Sequence, residues 1–175
     1  LRDGSQHMLS MLEGLLTLSR CMQSKLSPQL VDLSQMVQNI TGTLKNNTPD
    51  RQVSVRILPN ITAHGDGPLL QTLMEQLLDN AWKFTAHTPD ALIEFTTEDR
   101  DGESIFLIRD NGVGFNMAYK EMLFMPFYLL HKTDEFEGVG VGLALTQKII
   151  ERHGGRIWAE AEVNKGATIF FTLNL

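Results

Sequence analysis

Apolar side chains recur at the 3.6-residue spacing of amphipathic helices in four segments of the chain. The first segment covers residues 1–22 and ends before Ser27-Pro28, because proline disfavours helical geometry in the residue that precedes it. Ser34 and Asp66 are the expected N-caps of the second and third helices. These later helices are predicted over residues 34–45, 68–83 and 142–152.

Five strand-like runs predict strands, and in the first of them apolar Val53, Val55 and Ile57 alternate with polar residues. One is isolated between the second and third helices, at residues 52–58. The other four form two predicted hairpins, 91–97 with 104–109 and 156–161 with 167–173. Neither periodicity holds between residues 110 and 142, and a loop of this length inside a compact domain is usually functional.

Composition restricts the possible classes of protein. The chain has 175 residues, of which 42% are hydrophobic and 21% charged, and this suits one compact domain or one domain with a short appendage. A formal net charge of -6 argues against duplex nucleic acid as a partner. The single cysteine, Cys21, excludes an intrachain disulfide. No apolar run is long enough for a membrane helix. We therefore expect a cytoplasmic protein without membrane contact in this segment. The chain begins without Met, which suggests a fragment.

The predicted first helix has two interpretations that its pattern does not separate. Its apolar face, which contains several Met and Leu residues, suits either packing on its own domain or half of a dimerising helical hairpin. We place a domain boundary after it, giving an N-terminal helical segment at 1–26 and a second domain at 27–175.

Three polar residues of the third predicted helix, Gln76, Asn80 and Lys83, share one face. Amide oxygens are hard ligands suited to Mg²⁺, and a lysine one turn further on can neutralise a phosphate. A solvated helix face explains the same pattern and is the better interpretation for this helix alone.

Asp110-Asn-Gly112-Val-Gly114 follows an apolar strand. Asn-Gly is also typical of a tight hairpin turn, but no alternating strand follows. An ionised aspartate only accepts hydrogen bonds, so in a pocket it would select the amino group of adenine over the carbonyl of guanine.

Gly138, Gly140 and Gly142 lead directly into the last helix. This spacing differs from the dinucleotide-binding and P-loop motifs. A glycine-rich helix entry can present free N–H groups to an anion, and it can equally serve as a hinge. The five histidines lack metal-ligand spacing, and we assign no metal to them.

In this order and at this spacing, the motifs resemble the N box, first glycine box, F box and second glycine box of sensor histidine kinases. The matching segments are Leu77-Leu-Asp-Asn80-Ala-Trp-Lys83-Phe-Thr85, Asp110 to Phe115, Phe124-Met-Pro-Phe127 and Gly138 to Leu145. Within this GHKL/HATPase class the phytochrome-like subgroup is the most similar. The resemblance implies an α/β (α+β) two-layer sandwich, in which a mixed β-sheet packs against three helices.

The resemblance also implies roles for single residues. By it, Asp110 binds adenine, Asn80 and Gln76 hold Mg²⁺, and Lys83 contacts phosphate, so Gln76, Asn80 and Lys83 are the predicted catalytic residues. The rest of the implied ATP-binding set is Gly112, Gly114, Phe127, Lys132, Gly138, Gly140, Gly142 and Leu143.

The implied activity is transfer of the γ-phosphoryl group of Mg-ATP to a histidine on a helix that precedes this chain. Residues 1–26 resemble the second helix of the dimerisation and phosphotransfer hairpin, which implies a homodimer and a response-regulator receiver domain as partners. His7 lacks the acidic neighbour and the proline of the phosphoacceptor motif and is interpreted as a helix-surface residue.

Three departures from the family pattern affect the phosphate side: Gln76 replaces an asparagine, Leu129 an arginine, and Val139 a threonine or similar residue. They keep open a degenerate module that binds nucleotide weakly and serves as a scaffold. A hydrolysing ATPase of the gyrase, mismatch-repair or heat-shock-chaperone type is disfavoured, because its water-activating glutamate would occupy the position of Gln76.

Overall fold

The computed structural model describes residues 25–129 and 140–175, together with Leu12, Gly14, Leu16 and Ser19, which are helical. Most of the predicted first helix lies outside the described residues, as do His7, Lys132, Gly138 and Val139. The described elements are β1 (Pro28–Asp32), α1 (Leu33–Asn47), β2 (Val53–Ile57), β3 (Thr62–Asp66), α2 (Gly67–Phe84), β4 (Ala91–Arg100), β5 (Glu103–Asp110), a 3₁₀ helix (Met117–Met122), α3 (Gly142–Arg152), β6 (Ile157–Glu162) and β7 (Gly166–Phe171).

The main sheet has the strand order β2-β4-β5-β7-β6. Strand β2 runs parallel to β4, while the β4–β5, β5–β7 and β6–β7 pairs are antiparallel. Both predicted hairpins are confirmed. The first is longer than predicted, because β4 and β5 pair as far as Arg100 and Glu103 and leave only Asp101-Gly102 as the turn. Both turn residues have positive φ, 58° and 82°, which suits the twist of a tight hairpin.

Helices α1, α2 and α3 cover one face of this sheet, which confirms the predicted two-layer sandwich with a mixed sheet. The apolar stripe of α2 is buried against the sheet, as its periodicity predicts. Its buried members are Leu70, Leu73, Met74, Leu77, Leu78, Ala81 and Trp82. The opposite face of the sheet has a smaller cluster, in which the rings of Trp158 and Phe170 stack with centroids 5.3 Å apart over Ile105 and Leu107.

A second sheet, formed by β1 and β3, was not predicted. Its strands are short, β1 is mostly exposed, and the two pair across a separation in sequence that no local pattern reveals. The predicted cap of α1 was also wrong: Asp32 accepts the hydrogen bond from the Gln35 N–H (2.9 Å). The Ser34 hydroxyl instead donates to the Leu58 carbonyl (2.7 Å) and accepts from the Ile61 N–H (2.9 Å), so it fastens the start of α1 to the loop between β2 and β3.

Helix α2 is held at both ends. At its start, Asp66 is the N-cap as predicted and accepts from the Leu69 N–H (3.2 Å), while the Asp66 N–H donates to Nε2 of the buried His153 (3.0 Å). At its end, Arg51 donates to the Trp82 carbonyl (2.7 Å) and lies over the Trp82 ring, 5.0 Å from its centroid. These contacts fix the helix that carries the candidate site.

Of the helices in the described part of the chain, none combines the length and the apolar character needed to span a membrane.

Candidate functional site

A cavity of about 450 Å³ lies between α2, α3 and the ends of β5 and β7. The fold brings to it residues from three separate motifs, which are far apart in the sequence. The predicted site residues that line it are Gln76, Asn80, Lys83, Asp110, Gly114, Gly140, Gly142 and Leu143.

The polar face of α2 forms one wall of this cavity. Gln76, Asn80 and Lys83 are all partly buried there, so the face is not simply solvated, although the helix alone favoured that interpretation. Burial lowers the pKa of Lys83, and the neighbouring Asp79 carboxylate opposes this shift. The Lys83 ammonium also lies 4.4 Å from the centroid of the Phe84 ring. The lysine is therefore a partly desolvated cation, for which an anion in the cavity would be a favourable partner.

Asp110 is the last residue of β5 and lines the same cavity. Burial raises the pKa of Asp110 to about 6, although hydrogen bonds from the backbone N–H groups of Gly112 and Ala167 act in the opposite direction. The Gly112 N–H lies 2.8 Å from Asp110 Oδ1. Gly112 does not itself line the cavity, but it holds the acceptor in place.

The segment after Asp110 is not a hairpin turn. The Asn111 side chain accepts from the Leu92 N–H (2.8 Å) and donates to the Asp90 carbonyl (3.1 Å), and the Val113 N–H donates to the Phe84 carbonyl at the end of α2 (3.1 Å). Gly114 has a φ of 56°, and any Cβ there would collide with the Glu162 carbonyl. The segment is thus fastened to α2 and to the β6–β7 hairpin.

The N-terminus of α3 also meets the cavity. The helix starts at Gly142 as predicted, and its N-cap residue, Val141, has no side chain that can accept a hydrogen bond from the first turn. The first turn contains no acidic residue. Its N–H groups and the positive end of the helix dipole are therefore available to an anion.

Phe127 is a predicted site residue that the structure does not bring into the cavity wall. Its side chain is exposed, and its backbone has a φ of 63°. The Phe127 N–H donates to the Gly140 carbonyl (2.8 Å). This hydrogen bond connects the described chain before residue 130 with the described chain after residue 139.

Sequence reasoning missed the apolar part of the cavity. Its walls come from ordinary core positions whose spacing reveals burial but not which side chains border a void. They include Leu77, Ala81, Ile108, Phe115, Leu123, Leu145, Ala167 and Ile169, with Tyr128 and Leu129 from the loop.

Gly14 was also missed. It lines the cavity and lies against Val141, and nothing in the helical pattern of residues 1–22 indicated this contact.

The donor set fits a magnesium ion that is held mainly by its nucleotide. Within the described residues, no group of three or more His, Cys, Asp or Glu side chains could form a metal cage. The cavity instead offers the side-chain oxygens of Asn80 and Gln76. Mg²⁺ commonly takes only one or two protein ligands and completes its shell with phosphate oxygens and water.

Fold and site together define a two-layer sandwich with a carboxylate, two amide side chains, a lysine and a helix N-terminus in one cavity. Comparison with known proteins agrees. Residues 65–175 match the family described as "Histidine kinase-, DNA gyrase B-, and HSP90-like ATPase", and the chain belongs to this family. Within it, the chain corresponds to the ATP-binding catalytic domain of sensor histidine kinases, which confirms the resemblance seen in the motifs.

Individual relatives support this placement. Cyanobacterial phytochrome A of Nostoc sp. (strain PCC 7120) is 30% identical over 98% of this chain and 22% of its own length. The methanogenesis regulatory histidine kinase FilI of Methanothrix harundinacea is 40% identical over 59% of this chain and 12% of its own length. The chain therefore spans less than a quarter of each.

Solved structures show the same fold. Full-length ShkA in complex with AMPPNP superposes with a TM-score of 0.77 at 22% identity, over 99% of this chain and 37% of that one. The mycobacterial sensor histidine kinase MprB superposes with a TM-score of 0.69 at 22% identity, over 84% of this chain and 97% of that one.

Proposed function

We propose that the chain is the nucleotide-binding part of an ATP-dependent protein histidine kinase, which passes the γ-phosphoryl group of Mg-ATP to a histidine outside the two-layer domain. The observation that carries the proposal is a single cavity lined by a partly buried carboxylate, Asp110, and by the uncapped N-terminus of α3. ATP has two chemically distinct ends that suit these groups, an aminopurine and a polyanion.

Asp110 would select the base. Its ionised carboxylate accepts a hydrogen bond from the exocyclic amino group of adenine, whereas guanine presents a carbonyl oxygen at the equivalent position and would be repelled. The hydrogen bond from the Gly112 N–H fixes the orientation of the carboxylate. The site is therefore expected to prefer adenine nucleotides strongly.

The phosphate side would be bound by α2 and α3 together. Asn80 offers an amide oxygen to Mg²⁺, and the Lys83 ammonium neutralises phosphate charge. Bound Mg²⁺ supplies charge neutralisation of the phosphates. The resemblance assigns Gln76 to Mg²⁺ as well. The backbone N–H groups of Gly140, Gly142 and Leu143 are the candidates for hydrogen bonds to phosphate oxygens, and Lys132 and Gly138 are proposed to act with them.

In the proposed transfer, a nitrogen of the acceptor imidazole forms a bond to the γ-phosphorus. The bond between that phosphorus and the β–γ bridging oxygen breaks, and ADP leaves with the electron pair. Positioning and charge neutralisation are sufficient for this chemistry, so the lack of serine, cysteine and histidine among the described cavity residues is consistent with it. Gln76, an amide, also cannot act as the general base that hydrolysis of ATP would need.

The partners are inferred from the same resemblance. We expect a homodimer through the N-terminal helix, a receiver domain that accepts the phosphoryl group, and a cytoplasmic location, where ATP is supplied. The 175-residue chain is expected not to phosphorylate itself, because His7 lacks the context of a phosphoacceptor.

A second candidate is a degenerate domain that serves as a scaffold. It is favoured by one observation: Leu129, which stands where the family has an arginine, puts an apolar side chain into the cavity wall. Leucine cannot neutralise phosphate, so loss of affinity would follow if Lys132 does not compensate.

Calorimetric titration of the 175-residue chain separates the two candidates. The chain is titrated with AMPPNP and with the corresponding GTP analogue, each with Mg²⁺ and with EDTA. Micromolar binding that prefers adenine and strengthens with Mg²⁺ supports the kinase domain. No binding by a chain that shows a cooperative unfolding transition would refute it and favour the scaffold.

A further inference from the structure

Gln76 of α2 and Gly142, the first residue of α3, are in contact within the cavity. A Cβ atom added to Gly142 would lie 2.5 Å from Gln76 Oε1 and 3.6 Å from its Cδ, which is too close for the side chain to stay where it is. Gly142 is not among the residues with positive φ, so its backbone conformation does not require glycine. The Gln76 side chain is what fills the space beside it.

The N-terminal turn of α3 is positioned by packing and not by a side-chain cap. Its N-cap, Val141, is buried and provides no side-chain hydrogen bond to the first turn. Helix α2, in contrast, is anchored at both ends by Asp66 and Arg51. A side chain that extends from α2 to the first residue of α3 can therefore transmit the fixed position of one helix to the other.

We propose that Gln76 is a positioning residue, whose length holds the N-terminal turn of α3 at the phosphate side of the cavity. The inference rests on the proposed function. It assigns to Gln76 a role other than the Mg²⁺ ligand that the resemblance implies.

The length of the side chain is the critical property. Substitution of Gln76 by asparagine shortens the side chain by one carbon–carbon bond, about 1.5 Å, and would leave a gap at Gly142. A gap of this size loses much of the van der Waals attraction between the two surfaces. Substitution of Gly142 by alanine adds one methyl group and refills the gap, so the double substitution keeps the total size of the contacting pair close to that of glutamine with glycine.

Because the loss of size at residue 76 and the gain of size at residue 142 compensate each other, the contact can be tested by a double-mutant cycle in the 175-residue chain. We compare Gln76→Asn, Gly142→Ala and the double variant by calorimetric titration with AMPPNP, in Mg²⁺ and in EDTA. Gln76→Asn is expected to bind about tenfold more weakly. Gly142→Ala should lose less, because the end of the Gln76 side chain can move away from the added methyl group. The double variant should return to within about threefold of the starting chain. The factors should be the same in EDTA, because a positioning role does not depend on the metal.

A further variant, Gln76→Met, keeps the length and removes the hard oxygen. It is expected to bind AMPPNP in Mg²⁺ more tightly than Gln76→Asn does, because its side chain fills the same space although thioether sulfur is a poor ligand for this ion. If Gly142→Ala does not fold, the contrast between Gln76→Met and Gln76→Asn decides the question alone.

Matched controls isolate the contact from the chemistry of the substitutions. Gln71→Asn makes the same change on α2 at a residue that instead donates to Glu75 (2.8 Å). Gly42→Ala makes the same change on α1, where a Cβ meets no atom within 4 Å. Neither control should alter AMPPNP affinity by more than about twofold, and urea unfolding checks that all variants are folded.

Three results would overturn the inference while leaving the proposed function intact. These are unchanged or tighter binding by Gln76→Asn, an effect of Gln76→Asn confined to Mg²⁺, and single-variant losses that simply multiply in the double variant. Failure of the unmodified chain to bind AMPPNP would instead refute the proposed function.

Discussion

Replacing Asp110 with asparagine is expected to make the domain more stable and unable to bind ATP. The cause is the partly buried carboxylate, whose pKa rises from 3.8 to about 6 on folding because burial disfavours its charged form. The folded chain keeps this proton to higher pH than the unfolded chain does. Stability associated with the protonated group is therefore fully present below pH 3.8 and is lost as the pH rises through about 6.

The magnitude follows from the shift in pKa. A change of about 2 units at about 1.4 kcal/mol per unit means that ionised Asp110 lowers the free energy of unfolding by up to about 3 kcal/mol near pH 8. At about pH 5 the penalty is only about 1.5 kcal/mol, because most of the folded chain is still protonated. Asparagine does not ionise, and its oxygen can still accept from the Gly112 N–H.

The assay is urea unfolding of both proteins without nucleotide, followed by circular dichroism at the two pH values. The variant should exceed the unmodified chain by up to about 3 kcal/mol near pH 8, and this advantage should shrink by about half at pH 5. Titration with AMPPNP should show binding only by the unmodified chain. A stability difference that does not change with pH, or ATP binding retained by the variant, would refute the reasoning.

Three further predictions rest on single contacts or charges. Affinity for AMPPNP should fall as the pH drops below about 6, because protonation of Asp110 removes its negative charge and turns one acceptor oxygen into a donor. A pH-independent affinity in calorimetry across this range would contradict the assignment. Arg51→Ala should lower the free energy of unfolding by about 2 kcal/mol, because it removes the hydrogen bond to the Trp82 carbonyl and the contact with the Trp82 ring. Arg56→Ala, which removes an exposed ion pair, should lower it by less than about 1 kcal/mol, and equal losses in urea unfolding would contradict this. Leu129→Arg should strengthen AMPPNP binding about tenfold by adding a cation to the cavity wall, and unchanged affinity in the same titration would show that this position does not face phosphate.

Much of the architecture was determined by the sequence alone. The period of the apolar residues predicted α2, α3 and both hairpins to within a few residues, because burial of one face is a local property of the chain. The capping carboxylate of Asp66 was also recognisable, since a cap interacts with residues only three positions away. The ATP-site motifs could be identified because glycines and single polar side chains stand out against an apolar background.

Only the tertiary structure decided which interpretation of those motifs applies. The face with Asn80 and Lys83 could have been solvated, and it borders a cavity because α3 and β5 pack across from it. The raised pKa of Asp110 likewise depends on burial by distant segments. The β1–β3 pair, the anchoring of α2 by Arg51 and the contact between Gln76 and Gly142 all join residues at least thirty positions apart. Such contacts depend on the packing of whole elements, which the local pattern of apolar and polar residues does not encode.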